Sequence, residues 1–108
     1  LEPPAISGSM ATLVNLVTGW DIDLEALEKI GERIFNLERL INVKRGVRRI
    51  DDILPYRVMN EPIPEGPSAG RYCSKKNLDI MLDKYYALRG WSKDGVPTNA
   101  KLAELGLD

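Results

Sequence analysis

Only a few side chains in this sequence could do chemistry alone. Its 108 residues contain no histidine and one cysteine, Cys73. A Cys-His nucleophile, a zinc site and an internal disulfide are therefore excluded. Any metal held by these residues alone would be a hard cation on carboxylates. The adjacent pair Asp51-Asp52 is the most concentrated acidic feature, but neighbours in a helical turn point about 100° apart. That is poor geometry for converging on one substrate atom, so Asp51-Asp52 read as a cap plus a surface charge. Cys73 stands beside Lys75 and Lys76 at the edge of a helical segment, a setting that can lower a thiol pKa. With no base and no resolving thiol, it reads as a structural or incidental thiol.

Four cations, Lys44, Arg45, Arg48 and Arg49, fall within six residues and could suggest a nucleic-acid patch. The net charge is -1, Asp51 and Asp52 follow immediately, and no aromatic residue is interleaved for base stacking. Helix-dipole compensation and ion pairing explain the cluster more cheaply, so no nucleic acid is expected. The glycines at 8, at 66–70 and at 90–95 match no phosphate-cradle spacing. Trp20, Tyr72, Tyr85, Tyr86 and Trp91 read as packing residues with a polar handle.

The elements that position these groups are helices. Leu24, Leu27, Ile30, Ile34, Leu37 and Ile41 recur at steps of three and four between charged positions, which predicts one long amphipathic helix over 24–45. Asp21 and Asp23 can cap its start, and Gly46 suits its C-terminal end. Gly31, inside it, costs about 1 kcal/mol relative to alanine and predicts a close helix-helix approach. An earlier helix over 10–18 has Ser9 as candidate N-cap and Gly19 as stop. Ile50–Leu54 predicts a further turn begun by Asp51 and ended by Pro55.

Prolines at 55, 62, 64 and 67 make 55–70 an extended loop with neither helix nor central strand. Ser74 or Asn77 can cap a helix whose inward face is Leu78, Met81, Leu82, Tyr85 and Leu88. Asp94-Gly95 predicts a turn, and 100–105 a last short helix. The expected fold is all-α: four or five helices around one long amphipathic helix, with a Pro/Gly-rich loop. The longest apolar stretch, near 10–20, is too short and interrupted to cross a bilayer. The composition, 44% hydrophobic and 29% charged, is that of an ordinary soluble domain. Residues 1–9 (LEPPAISGS) read as a linker or cloning remnant rather than a signal peptide, 10–108 as the domain, and the whole as a piece of a longer chain.

The wording of several blocks carries more than their periodicity. TGWD at 18–21, GERIFNLERLINVKRG at 31–46, DDILP at 51–55, LDKYYALRGW at 82–91, DGVPT at 94–98 and KLAELGL at 101–107 occur in this order. Together they resemble the C-terminal end of the aldehyde:ferredoxin oxidoreductase family, across about Ala11 to Leu107. The resemblance implies a cytoplasmic parent enzyme that oxidises aldehydes to carboxylates at a tungsten (or molybdenum) pterin. It implies electron passage through a [4Fe-4S] cluster to ferredoxin.

In that family three cluster cysteines come from a Cys-x2-Cys-x3-Cys run and a fourth from a motif before the TGWD block. Neither is present here, nor are the DxxGL-type pterin sequences, so the resemblance places no catalytic, cofactor-binding or metal residue in this segment, and none on Cys73. The expected role is a helical cap on the parent's cofactor-bearing domains, with an exposed apolar patch above about 400 Å² on the face towards them. The alternative is a free-standing helical interaction module without enzymatic activity.

Overall fold

The computed structural model describes residues 7–108, so most of the 1–9 segment lies outside the described residues. Five α-helices follow in order: α1 (Gly8–Thr18), α2 (Leu24–Lys44), α3 (Tyr56–Asn60), α4 (Lys75–Arg89) and α5 (Asn99–Leu105). The described residues contain no sheet; one isolated antiparallel bridge pairs Trp91 with Pro97. The fold is all-α, as the periodicity predicts.

Local chemistry sets most boundaries. The Asp23 carboxylate accepts from the Ala26 N–H at 2.8 Å, Ser74 Oγ from Asn77 at 3.2 Å, and Thr98 Oγ1 from Lys101 at 3.2 Å. Each satisfies a donor the first helical turn leaves free. The first helix begins at Gly8, with Ser7 in the cap position making no side-chain bond, so Ser9 is not its N-cap. A 3-10 turn at Arg49–Asp51 replaces the turn expected at 50–54. Asp51 does not begin it but reaches back to accept from the Arg48 N–H at 2.9 Å.

A second correction concerns the proline-rich stretch, where α3 forms despite the expectation of no helix in 55–70. Pro55 precedes the first helical residue, where its missing N–H costs nothing, and 56–60 holds no proline. The helix stops before Pro62, whose ring favours the extended Glu61 observed.

The largest departure lies in how α2 faces the rest of the chain. Its only buried residue is polar, Asn36, at 0% exposure. The C-terminal half of the apolar stripe that should form the core is open instead: Ile34 is 55%, Leu37 48% and Ile41 45% exposed, while Leu24, Leu27 and Ile30 are half-buried. At about 100° per residue, these three lie roughly 100° to 160° round the helix from Asn36. From Ile34 onward α2 thus turns its polar side to its own chain and its apolar stripe outward. Gly31 corrects another expectation, since a Cβ built there meets nothing within 4 Å beyond its own helix and neighbours. No described element comes into van der Waals contact above it, although α1 and α4 side chains line grooves beside it.

What remains inside is small. Among the described residues only Ala11, Leu78, Tyr86, Trp91 and Leu105 are buried hydrophobics, while nineteen large hydrophobic side chains are exposed. The chain extends over 51 × 34 × 21 Å with a radius of gyration of 17.9 Å. A self-contained domain of this length has about 13 Å. Its surface of 8359 Å² likewise exceeds the roughly 6,000 Å² usual for this mass.

Candidate functional site

Two places in the chain gather side chains with a possible role. The first is a polar and aromatic latch joining α2 to the C-terminal third. Arg39, on the inward side of α2, donates from Nη1 and Nη2 to both oxygens of Asp52, at 2.8 and 2.6 Å, and from Nε to the Gly95 carbonyl at 2.8 Å. The Tyr86 hydroxyl donates to the same carboxylate. Trp91 is stacked by Phe35 at 6.0 Å between centroids, met edge-on by Tyr85 at 5.6 Å, and covered by the Arg39 guanidinium at 4.9 Å. Its indole N–H donates to Asn36 Oδ1 at 2.7 Å, which explains why an asparagine can sit fully buried.

Backbone geometry makes the latch possible. Gly95 has φ +77°, and a Cβ there would run into the Arg39 guanidinium and the Tyr86 ring. Only glycine meets both demands. Gly90, at φ +71°, closes α4 where the aliphatic stem of Lys101 lies against it. The Lys101 ammonium continues to Glu32 on α2 at 2.9 Å.

These contacts set the protonation of the latch. Burial pushes the Tyr86 hydroxyl up, aided by its bond to the Asp52 carboxylate, to about 12. Burial works against the Asp52 charge, but the hydrogen bonds from Arg39 and Tyr86 outweigh it and hold Asp52 below the ordinary carboxylate value. Neither group is poised near neutrality for proton transfer, and both Asp52 oxygens are occupied. A cleft of about 360 Å³ opens beside the latch, walled by Phe35, Leu78 and Tyr85 among others. No described buried side-chain polar atom lacks a partner.

The expected sites are dispersed. Asp51 and Asp52 diverge, as their adjacency predicts, yet Asp52 is no surface charge: its side chain is 22% exposed and ties three elements together. Arg49 pairs with Asp83 at 2.6 Å and Asp79 at 3.6 Å, and Arg48 donates to the Val43 and Val47 carbonyls at the end of α2. Two of the four clustered cations, Arg48 and Arg49, are thereby engaged within the chain. Cys73 is half-buried just before α4, and its N–H bonds the Val58 carbonyl. Among the aromatics, Tyr86 and Trp91 pack as expected, whereas Trp20 and Tyr72 are more than half exposed. Among the described residues no three His, Cys, Asp or Glu side chains are grouped to hold a metal. No described helix is long and apolar enough to cross a membrane. Sequence reasoning missed Asn36 and Arg39; their only signal was a shared polar face with Glu32.

The second place is the outward apolar face of α1 and α2. Leu13, Leu16 and Val17 on α1 are 61%, 77% and 86% exposed, and the Ile34, Leu37 and Ile41 stripe continues the face on α2. A surface this apolar on a small chain marks contact with something else.

The family model described as aldehyde ferredoxin oxidoreductase, domains 2 and 3, matches residues 2–107. The chain belongs to the aldehyde ferredoxin oxidoreductase family. It is 47% identical over 97 residues to a tungsten-containing aldehyde ferredoxin oxidoreductase of Pyrococcus abyssi, covering 89% of this chain and 16% of that protein. The counterpart in Pyrococcus furiosus is 49% identical over 96 residues, covering 88% and 15%. The matched part is a small C-terminal portion of these aldehyde ferredoxin oxidoreductases. The active-site complex BamBC of benzoyl coenzyme A reductase, solved with 1,5-dienoyl-CoA, shares the fold with a TM-score of 0.76 at 32% identity. That match covers 99% of this chain and 15% of the other.

Proposed function

We propose that this chain is the C-terminal helical domain of a cytoplasmic, tungsten- or molybdenum-pterin enzyme of the aldehyde:ferredoxin oxidoreductase type. The parent would oxidise aldehydes to carboxylates and pass electrons through a [4Fe-4S] cluster to ferredoxin. This domain would pack on the cofactor-bearing domains, exclude water and help shape the substrate channel, contributing no catalytic group of its own.

One observation carries the reading: α2 buries Asn36 and leaves the C-terminal half of its hydrophobic stripe, Ile34, Leu37 and Ile41, in the open. Burial of apolar area is the main favourable term in folding, at about 25 cal/mol per Å². A helix that exposes its stripe is therefore half of a larger interface. The latch supports the same division of labour, since it stiffens the domain without offering a poised acid or base. The donor set does not fit a resident tungsten or iron-sulfur site: one cysteine, no histidine and no grouped carboxylates among the described residues.

The test compares three preparations, the 108-residue chain, the parent lacking it, and the two expressed together. Bound tungsten and aldehyde-dependent reduction of benzyl viologen are measured in each. The expected result is neither property in the chain alone and recovery on co-expression. Metal or turnover in the isolated chain would overturn the reading.

A further inference from the structure

The α1 and α2 helices diverge around a groove of about 440 Å³. Met10, Leu13 and Val14 line it from α1, and Leu27, Ile30 and Ile34 from α2. The one further lining residue is Gly31, so every side chain facing the groove is apolar. Resting on the reading of this chain as one domain of a longer oxidoreductase, we infer that an apolar helix from the remainder of that polypeptide lies in this groove and crosses α2 over Gly31.

Three observations converge on that occupant. The first is shape. Gly31 is helical, and space above it is empty for at least 4 Å from a built Cβ. A glycine there weakens a lone helix, yet it lowers the floor of a groove and admits a neighbouring backbone closely. Helices pack at 8–10 Å with the smaller side chains at the contact giving the shorter separations.

The second is chemistry. Leu13 and Ile34 are more than half exposed at the groove edges, and the flanking Glu28, Lys29 and Arg33 carry both signs. Mixed charge selects neither an acidic nor a basic partner, so the occupant is chosen by apolar fit. A backbone with unpaired N–H and C=O groups would leave them unsatisfied against such a wall, whereas a helix satisfies its own.

The third is where the rest of the polypeptide lies. The oxidoreductases at 47% and 49% identity match this chain over only 16% and 15% of their length, and the reductase of the same fold over 15%. A covalently tethered partner acts at an effective concentration of order millimolar. It therefore outcompetes a second copy of the domain for the same groove.

The test uses the full-length oxidoreductase. Were the face open, Gly31→Ala would raise the thermal midpoint, because alanine is the better helix former. With a helix seated over Gly31, Gly31→Ala lowers the midpoint and Gly31→Leu lowers it further, with loss of bound tungsten. Since the leucine variant can fail to fold, a second readout uses unmodified protein. Met10, 43% exposed in this chain, is expected to resist peroxide oxidation in the native full-length enzyme and to oxidise readily once it is unfolded. An unchanged or raised midpoint for Gly31→Ala, or rapid native oxidation of Met10, overturns the crossing. Deletion of residues 8–108 separates this failure from that of the underlying reading. If the truncated enzyme keeps its tungsten and stability, the reading itself fails; if they are lost while Gly31→Ala is neutral, only the crossing does.

Discussion

The two ends of this domain are finished to different degrees. Around Trp91 the chain supplies both sides of every contact: ring against ring, guanidinium against carboxylate, indole against a buried amide. Along α1 and α2 it supplies only one side. The difference teaches that exposed leucines here are not poor packing in general, because the same 108 residues build a tightly satisfied polar centre elsewhere. On the proposed reading, one region encodes its own fold, and the other encodes an interface.

Trp91→Ala strikes the finished end hardest. It removes the ring that Phe35, Tyr85 and Arg39 pack against and strips Asn36 of its partner. Urea denaturation should show a loss of about 3–5 kcal/mol. A loss near zero would mean that the latch does not hold the fold.

Asp52→Ala comes next, since it leaves the Arg39 charge without its carboxylate. With Asp52 partly exposed, a cost of about 1–3 kcal/mol is expected, less than for a fully buried pair. The pH dependence has a definite sign. The folded state lowers the Asp52 pKa from 3.8, so its stabilisation is complete above that value and disappears as pH falls through the lower folded one. The Tyr86 pKa is raised from 10.0 to about 12, so its contribution is complete below pH 10 and is lost as pH rises towards 12. Tyrosinate absorbance should show one late-titrating group that vanishes in Tyr86→Phe.

Gly95→Ala should cost about 1–3 kcal/mol through its positive φ alone, with the Arg39 contact disturbed as well. At the unfinished end the smallest effect is expected. Leu16→Gln in the 108-residue chain should change stability by no more than about 0.5 kcal/mol, as for an ordinary surface position. The same substitution in the full-length enzyme should be plainly destabilising; equal effects in both settings would erase the distinction between the two ends.

Sequence pattern reached every described helix but α3, and most caps, because these depend on neighbours three or four residues away. Asp23, Ser74 and Gly90 act as their types suggest. It also located the apolar stripe of α2, but periodicity says only that a stripe will be covered, not by which body. That is why Ile34 and Ile41, read as core, stand open. The latch was illegible for a related reason: Asn36 and Trp91 are 55 positions apart, and Arg39 and Gly95 are 56 apart. Residue type alone made Asp52 a surface charge and Pro55 a helix breaker. The first became a junction through two distant partners, and the second fell just before a helix, where its missing N–H interrupts nothing.

The molecule carries two tryptophans, and they fall on opposite sides of this division. Trp91 is enclosed, bonded to Asn36 and overlaid by a cation, while Trp20, in the connection between α1 and α2, is 55% exposed. Each is therefore an intrinsic optical probe of a separate event. Emission from Trp91 follows whether the domain has folded; a blue shift of Trp20 alone would follow whether the folded domain has found its place.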